Sequence, residues 1–568
     1  MTIERYNMTE QKLTGYPSID KPWLKYYKSD AYSIATTQPE DCTVWAFFEK
    51  RLQSQGNTTP ALEYFGRKIS RPDFIKNVYK WARIFKGMGI KEDEVVIFYC
   101  PWFPEICYML FALNHIGAAP YFVKLTISEE DLRNECRNSR FAVVYDGMWA
   151  NVNVVLKEDK FEKVIFVSAE TDMPMPLKTI VSLSNAKIRK ALPHSEKYLT
   201  TKQAAKIYGD FGGQLEVKYD PDRIAFITSS SGTTVNGSVK GIMDTNRSVI
   251  SQTYNYLAVG RFDRFDCQPR SLVNLPPAAS TSLNCLFLQP LYFNAICIIE
   301  PRLSEDTIYK QITKTKSAVV VTTGSLWHAF CESLEKDKDA DLSFMRLPVI
   351  GGEGVTPEDF QRMSAMIIEH HSPMAFVNGF GQSEMFSVMT IEKDNMIQDI
   401  AVKEANSVGI PYPSIVCGVF DSEGNELGYN TRGELYVKGP TMMKGYYGKE
   451  KLTEESVVDG WLHTGDIFEI DENGIFYYYG RMTNSVTLPS GETLYLFDIE
   501  NQILKDKNVR YAMGEVRELT GYPSIAKPWL KYYKAGSEER ANNVPTEKTV
   551  WDVIEEKLIE YSSNGIYV

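Results

Sequence analysis

No stretch of this chain is apolar for long enough to cross a bilayer. Segments such as LFLQPLYFNAICIIE are too short and too often interrupted by polar residues to span about 30 Å of hydrocarbon, and the N-terminal MTIERYNMTEQK has no apolar signal core. A cytoplasmic protein with no membrane span is the expectation. Positive charge is scarce too. The formal net charge of -11 speaks against a nucleic-acid surface, so any phosphate must be held locally by backbone N–H groups, a metal ion and a few basic side chains. The 9 cysteines form no C-x-x-C pair, which leaves a thiolate metal site without support and predicts reduced, mostly buried thiols. Low-complexity tracts are missing, and 43% hydrophobic with 24% charged residues excludes extended disorder. Neither a G-x-x-x-x-G-K-[ST] loop nor a G-x-G-x-x-G turn after a strand occurs.

The chain has 568 residues, well beyond the roughly 250–300 at which one core stops growing, so several domains or packed subdomains are expected. Short β-rich runs (Val95–Tyr99, Val143–Tyr145, Val164–Val167, Ile224–Thr228, Val319–Thr322) alternate with amphipathic helical spacing, as in Pro104–Ile116 and Asp359–His370. This βα alternation predicts an α/β fold with a mainly parallel sheet covered on both faces. From about Ile410 to Tyr479 short strands with Gly and Asn turns predict a small β-barrel-like subdomain.

The strand at Ile224 runs into Ser229-Ser230-Ser231-Gly232-Thr233-Thr234, with Lys240-Gly241 beyond. Such a loop offers backbone N–H groups, hydroxyl donors and a lysine charge to a triphosphate; a solvated surface loop is the lesser alternative for this segment alone. The loop resembles the phosphate signature of the adenylate-forming (AMP-binding) enzymes, a family that includes acyl-CoA synthetases and adenylation domains. Five further matches follow in family order across about Leu62–Glu500: Gly351-Gly352-Glu353-Gly354, Asn378-Gly379-Phe380-Gly381-Gln382-Ser383-Glu384, Arg432-Gly433-Glu434-Leu435 with Lys444-Gly445-Tyr446-Tyr447, Asp459 to Asp466, and Gly480-Arg481.

The resemblance implies a large N-terminal domain of packed βα subdomains followed by a small α+β domain. It assigns ATP or AMP binding to Ser229, Ser230, Ser231, Gly232, Gly352, Glu353, Gly354, Asn378, Gly379, Phe380, Gly381, Gln382, Ser383, Asp466 and Arg481. Thr233, Thr234, Lys240 and Glu384 become the catalytic set, with Glu384 the Mg²⁺ ligand and Asp466 the acceptor of both ribose hydroxyls. Phe380 and Ser383 replace the family's Tyr and Thr and keep the ring face and the hydroxyl. The implied reaction is attack of a carboxylate on the α-phosphorus of ATP, then transfer of the acyl group to coenzyme A or to the phosphopantetheine of a carrier protein. The acyl pocket is expected near Phe380 and Leu275–Leu286.

The chain departs from the family in three places. The phosphate loop is two residues longer before Lys240, Thr483-Asn484 replace the acidic pair usual at the hinge, and no Ser-Gly-Lys follows Gly480-Arg481. Instead LTGYPSIDKPWLKYYK at Leu13–Lys28 returns as LTGYPSIAKPWLKYYK at Leu519–Lys534, with only Asp20 changed, to Ala526; the same offset carries Thr43-Val44-Trp45 onto Thr549-Val550-Trp551. The expected organisation is a leader at 1–60, an AMP-binding core at 61–480 with its β-rich part at about 410–480, an incomplete C-terminal domain at 481–516, and a second leader at 517–568 that docks on the body or is poorly ordered. An acid–thiol ligase is the leading expectation. A carrier-loading module and a catalytically weak nucleotide or acyl sensor are the alternatives.

Overall fold

The computed structural model describes residues 13–56, 59–230, 239–260, 262, 265, 268–302, 304–352, 355–391, 406–487, 493–504, 509–518, 526–534 and 546–549. Two large sheets organise them. The first has eight strands, with Ala119–Phe122, Val95–Tyr99, Phe141–Tyr145, Lys163–Val167 and Tyr198–Thr200 parallel at its heart. Ile224–Ser229 extends this set in parallel, Gly241–Thr245 turns back antiparallel to it, and the two-residue strand Gly445–Tyr446 closes the edge. The second sheet has 14 strands and runs from Arg67–Ser70 through the parallel strands Ile296–Ile299, Arg270–Val273, Val319–Thr322, Leu347–Gly351 and Val377–Gln382.

Beyond Val377–Gln382 the pairing becomes antiparallel. Ser387–Ile391 pairs with both Val377–Gln382 and Ser407–Pro411, which leads to Phe476–Arg481, Trp461–Ile470, Gly433–Lys438 and Val416–Phe420. The β-rich part expected from about Ile410 thus continues an antiparallel pairing that already begins at Ser387–Ile391, within one continuous sheet. Each expected strand is present, the second and third beginning two and one residues earlier than the apolar runs suggest, at Phe141 and Lys163.

Local chemistry explains the covering helices. In Arg71–Gly87 the Ser70 hydroxyl caps the Asp73 N–H, Pro72 occupies the first turn, and Phe74, Val78, Trp81, Ala82 and Phe85 recur at helical spacing on the buried side. Every residue of Pro104–His115 is buried, which matches its nearly unbroken apolar sequence.

The leader docks on the antiparallel part of the second sheet. The buried Asp20 carboxylate accepts from Thr14 N–H (2.8 Å), Thr14 Oγ1 (2.9 Å), Gly15 N–H (3.1 Å) and Tyr429 Oη (2.8 Å). Ser18 donates from N–H and Oγ to Glu426 at 3.0 and 2.7 Å, and Tyr27 Oη donates to the Pro411 carbonyl at 2.8 Å. Trp23 is fully buried, edge-on to Phe476 at 5.7 Å, and its N–H group passes so near Gly474 that a Cβ there would meet it at 2.6 Å. In the second copy Leu519–Ser524 and Ile525 lie outside the described residues. Its remainder, Ala526–Lys534, is a strand antiparallel to Val509–Glu518, whereas Pro22–Tyr26 in the first copy is a 3-10 helix.

Candidate active site

The expected phosphate loop springs from the end of Ile224–Ser229. Ser229 N–H donates to the Ala278 carbonyl (2.9 Å) and its hydroxyl to the Phe122 carbonyl (3.0 Å), which fixes the strand end against both neighbours. Ser230 N–H donates to the Lys240 carbonyl at 3.0 Å, so the two ends of segment 231–238 are pinned together. Ser231, Gly232, Thr233 and Thr234 lie outside the described residues, as do Glu353 and Gly354.

Beside Ser229 a cavity of about 500 Å³ opens at the carboxyl ends of the parallel strands, the usual place for a ligand in an α/β sheet. Gly351, Gly352, Gly379, Phe380, Gly381, Gln382 and Ser383 form one wall. The glycines serve access: Gly352 has φ +82°, and a Cβ on Gly379 would fill space 3.5 Å from Val349 Cγ1. Phe380 is held edge-on by Phe468 (4.8 Å) and tilted against Tyr478 (5.8 Å). Ser383 Oγ accepts from Ser280 Oγ at 2.8 Å, tying the wall to the segment Leu275–Thr281 opposite. Asn378 is buried behind this wall, its amide reaching the Ser407 carbonyl at 3.4 Å. The deep end is apolar and includes Tyr256, Phe262, Cys285, Val319, Val321 and Leu347.

At the rim Gln382, Asp466 and Arg481 converge. Gln382 Nε2 donates to Asp466 Oδ2 (2.5 Å) and to the Thr464 carbonyl (2.8 Å); Arg481 Nη1 donates to the same two oxygens at 3.2 and 2.9 Å. The register pairs Asp466 with Arg481 across adjacent strands, and Glu434 steadies the turn by accepting from Gly465 N–H at 2.9 Å. Burial pushes the Asp466 carboxyl up to about 7, against the pull of Arg481 and Gln382, with Glu384 and Glu434 adding to the rise.

Glu384 lies one residue past the wall. Its Oε1 accepts from Tyr446 Oη (2.9 Å) and its carbonyl from Met443 N–H (2.8 Å). Lys240 Nζ sits over the Tyr446 ring, 4.7 Å from its centroid. Burial lowers the Lys240 ammonium below the usual lysine range, Glu384 opposes this, and Lys449 and Arg481 reinforce it. Among the predicted residues that the structure describes, Ser229, Gly352 and Gly379 to Ser383 line the cavity, Asp466 and Arg481 join it through Gln382, and Lys240 and Glu384 meet at Tyr446.

Three groups in this region were absent from the predicted set. Tyr446 was visible only as part of a motif, and its place depends on pairing with Ile242. Lys449 reaches Glu135 at 2.9 Å and the Val239 carbonyl, which no spacing in the sequence signals. Asp244 is fully buried, with no hydrogen-bond partner for either carboxyl oxygen among the described residues. No helix of the described residues is long and apolar enough to cross a membrane.

Glu384 with Lys240 near it fits Mg²⁺ carried in on a polyphosphate, since this ion keeps several waters and takes one or two protein oxygens. Glu384 has the required hard donor, with Oε1 steadied by Tyr446.

Comparison with known proteins gives the family. A long-chain-fatty-acid–CoA ligase of Haemophilus influenzae is 24% identical over 504 residues, covering 87% of each chain. The ligase of the same name from Salmonella typhimurium is 23% identical over 438 residues, 76% of this chain and 75% of its own. The crystal structure of an anthranilate CoA ligase with anthranoyl-AMP superposes with a TM-score of 0.72 at 16% identity over 90% of both chains, a likeness of fold. The family model described as AMP-binding enzyme matches residues 48–447, more than half of the 568, and the chain belongs to that family.

Proposed function

We propose that this protein activates a carboxylic acid with ATP to give an acyl-adenylate and pyrophosphate, and then passes the acyl group to a thiol. The observation that carries the reading is the convergence of Gln382, Asp466, Arg481 and Glu384 at the rim of one cavity whose deep end is apolar. In this reading Asp466 accepts the ribose hydroxyls while Arg481 and Gln382 hold its carboxylate in place. Phe380, Gly352 and Gly379 to Gly381 form the base-binding wall, and Ser229, Ser230 and the loop that follows, Ser231-Gly232-Thr233-Thr234, face the phosphates. Lys240 supplies positive charge near the transferring phosphorus, at a position where burial makes its field stronger than in water. Mg²⁺, held by Glu384, would neutralise charge on the phosphates.

The deep wall made by Leu275, Ala278, Cys285, Val321 and Leu347 suits an uncharged acyl group. This reading takes coenzyme A as the thiol, as in the names of the ligase relatives, with a carrier-protein arm as the alternative. A weakly catalytic nucleotide-binding role is favoured by one sequence observation, the lack of a Ser-Gly-Lys after Gly480-Arg481. ATP–pyrophosphate exchange with Mg²⁺ and a panel of aliphatic and aromatic acids separates the two. Exchange with an uncharged acid is the expected result. Tight ATP binding with no exchange for any acid would sink the ligase reading in favour of the nucleotide-binding one.

A further inference from the structure

The stretch Met173–Leu192 stands apart from the rest of this acidic chain. It contains four basic residues, Lys178, Lys187, Arg189 and Lys190, and no acidic one, in a molecule whose formal net charge is -11. It forms the helices Leu177–Ser184 and Ala186–Lys190, neither of which has a buried residue. Their inward side is anchored: Leu177 and Val181 pack against the main core, Lys178 Nζ donates to the Thr171 carbonyl at 2.6 Å, and Arg189 pairs with Glu170. Their outward side is apolar. Met175 is 71% exposed, Ile180 60%, Leu183 72% and Ile188 42%. Lys187 and Lys190 are exposed among them.

Isolated exposed apolar residues are ordinary, but three large ones on two short helices, with Met175 just before the first and lysines beside them, make a surface with two properties at once. Apolar side chains favour entry into an acyl boundary, and lysines with flexible stems reach past them to anionic headgroups. A soluble acidic partner would satisfy the lysines and leave Leu183 and Met175 in water. A neutral apolar partner would desolvate the lysines without compensation. An anionic lipid surface satisfies both.

We propose that the helices Leu177–Ser184 and Ala186–Lys190 dock this protein reversibly on an anionic membrane surface, with Met175, Ile180, Leu183 and Ile188 in the headgroup boundary and Lys187 and Lys190 on the lipid charge. The patch is separate from the ATP-binding residues, and the proposal stands whether or not the chain is a ligase.

The test is cosedimentation of the purified full chain with vesicles of phosphatidylcholine alone and of three parts phosphatidylcholine to one part phosphatidylglycerol. Binding to the mixed vesicles, weaker binding to the neutral ones and release by salt are expected. Ile180→Ser with Leu183→Ser should abolish pelleting, and Lys187→Ala with Lys190→Ala should weaken it by about fivefold per lysine. Unaltered melting curves would show that both double variants are folded, as expected for side chains this exposed. Failure of the wild-type chain to pellet with mixed vesicles overturns the proposal, as does pelleting that ignores the Ile180/Leu183 variant. A wild-type dimer that this variant dissociates, without lipid binding, would also overturn it and assign the patch to self-association.

Discussion

Below about pH 7 the Asp466 carboxyl carries its proton, and a protonated carboxyl is a poorer acceptor for two ribose hydroxyls than a carboxylate. ATP affinity measured by calorimetry should therefore rise between about pH 6 and 8 and then level off. Asp466→Ala should lower the affinity by about ten- to a hundredfold, the range for hydrogen bonds to a charged group, and should flatten the pH dependence. A variant with wild-type affinity would remove Asp466 from the site. Asp244 makes a different case. Burial raises its pKa well above the usual carboxylate range, with Glu384 adding to the rise. Below about pH 4 both the folded and unfolded chains hold this proton, so the residue adds no pH-linked cost; as the pH climbs toward the folded value, folding must take up a proton and stability falls. Asp244→Asn needs no proton, so its melting temperature relative to wild type should increase as the pH rises above about 4. A difference independent of pH would show that Asp244 is charged and partnered. Asp466 is legible in its motif, whereas nothing in the sequence around Asp244 marks it, because its burial comes from elements packed on it from elsewhere in the chain.

Elements were legible in proportion to how local their causes are. The strand Val95–Tyr99 and the helix Pro104–His115 follow from unbroken apolar runs and a proline at the first turn. The leader shows the opposite. The words KPWLKYYK fold as a 3-10 helix followed by extended chain at Lys21–Lys28 and lie in a strand at Lys527–Lys534, so propensity does not choose between the two backbones. Contacts choose. The first copy has Asp20, whose carboxylate gathers Thr14, Gly15 and Tyr429, and the second has Ala526 at the equivalent position. Asp20→Ala should accordingly release the leader, at a cost of about 1–3 kcal/mol for the unpaired donors. Limited trypsin digestion reads this as faster cleavage at Lys25 and Lys28, since Pro22 protects the bond after Lys21. An unchanged cleavage rate would show that Trp23 and Tyr27 hold the leader without the carboxylate. At the other end of the core, Arg432 lies 3.6 Å from the Tyr479 ring centroid and 2.7 Å from Asp498, and so joins the antiparallel strands to the helix Leu496–Leu504. Neither Tyr479 nor Asp498 stands at a spacing from Arg432 that the sequence could have marked.

At the scale of the whole molecule, the cavity takes its walls from both sheets: Ser229 from the first, Val349 and Gly379 from the second. A ligand in it should stabilise the folded chain as a unit. ATP at about 100 times its Kd is expected to add about 2.7 kcal/mol, read as a raised melting temperature, and Asp466→Ala should lose most of that shift at the same ATP concentration. The βα alternation announced a mainly parallel sheet covered on both faces, but not that there are two large sheets drawing strands from distant parts of the chain. Pro60–Tyr64, early in the chain, joins the second sheet beside Ile296–Ile299, while Gly445–Tyr446 returns to finish the edge of the first sheet beside Gly241–Thr245. This interleaving sets a timetable on the ribosome. Neither sheet has all its strands until residue 446 and beyond has emerged, which at ordinary elongation rates takes about 20–90 s. Through that interval the strand Gly241–Thr245 presents an unpaired edge, and the groove that will receive Trp23 does not yet exist. The nascent chain therefore carries its leader and that edge unpartnered for most of its synthesis, when pairing with other chains is the hazard.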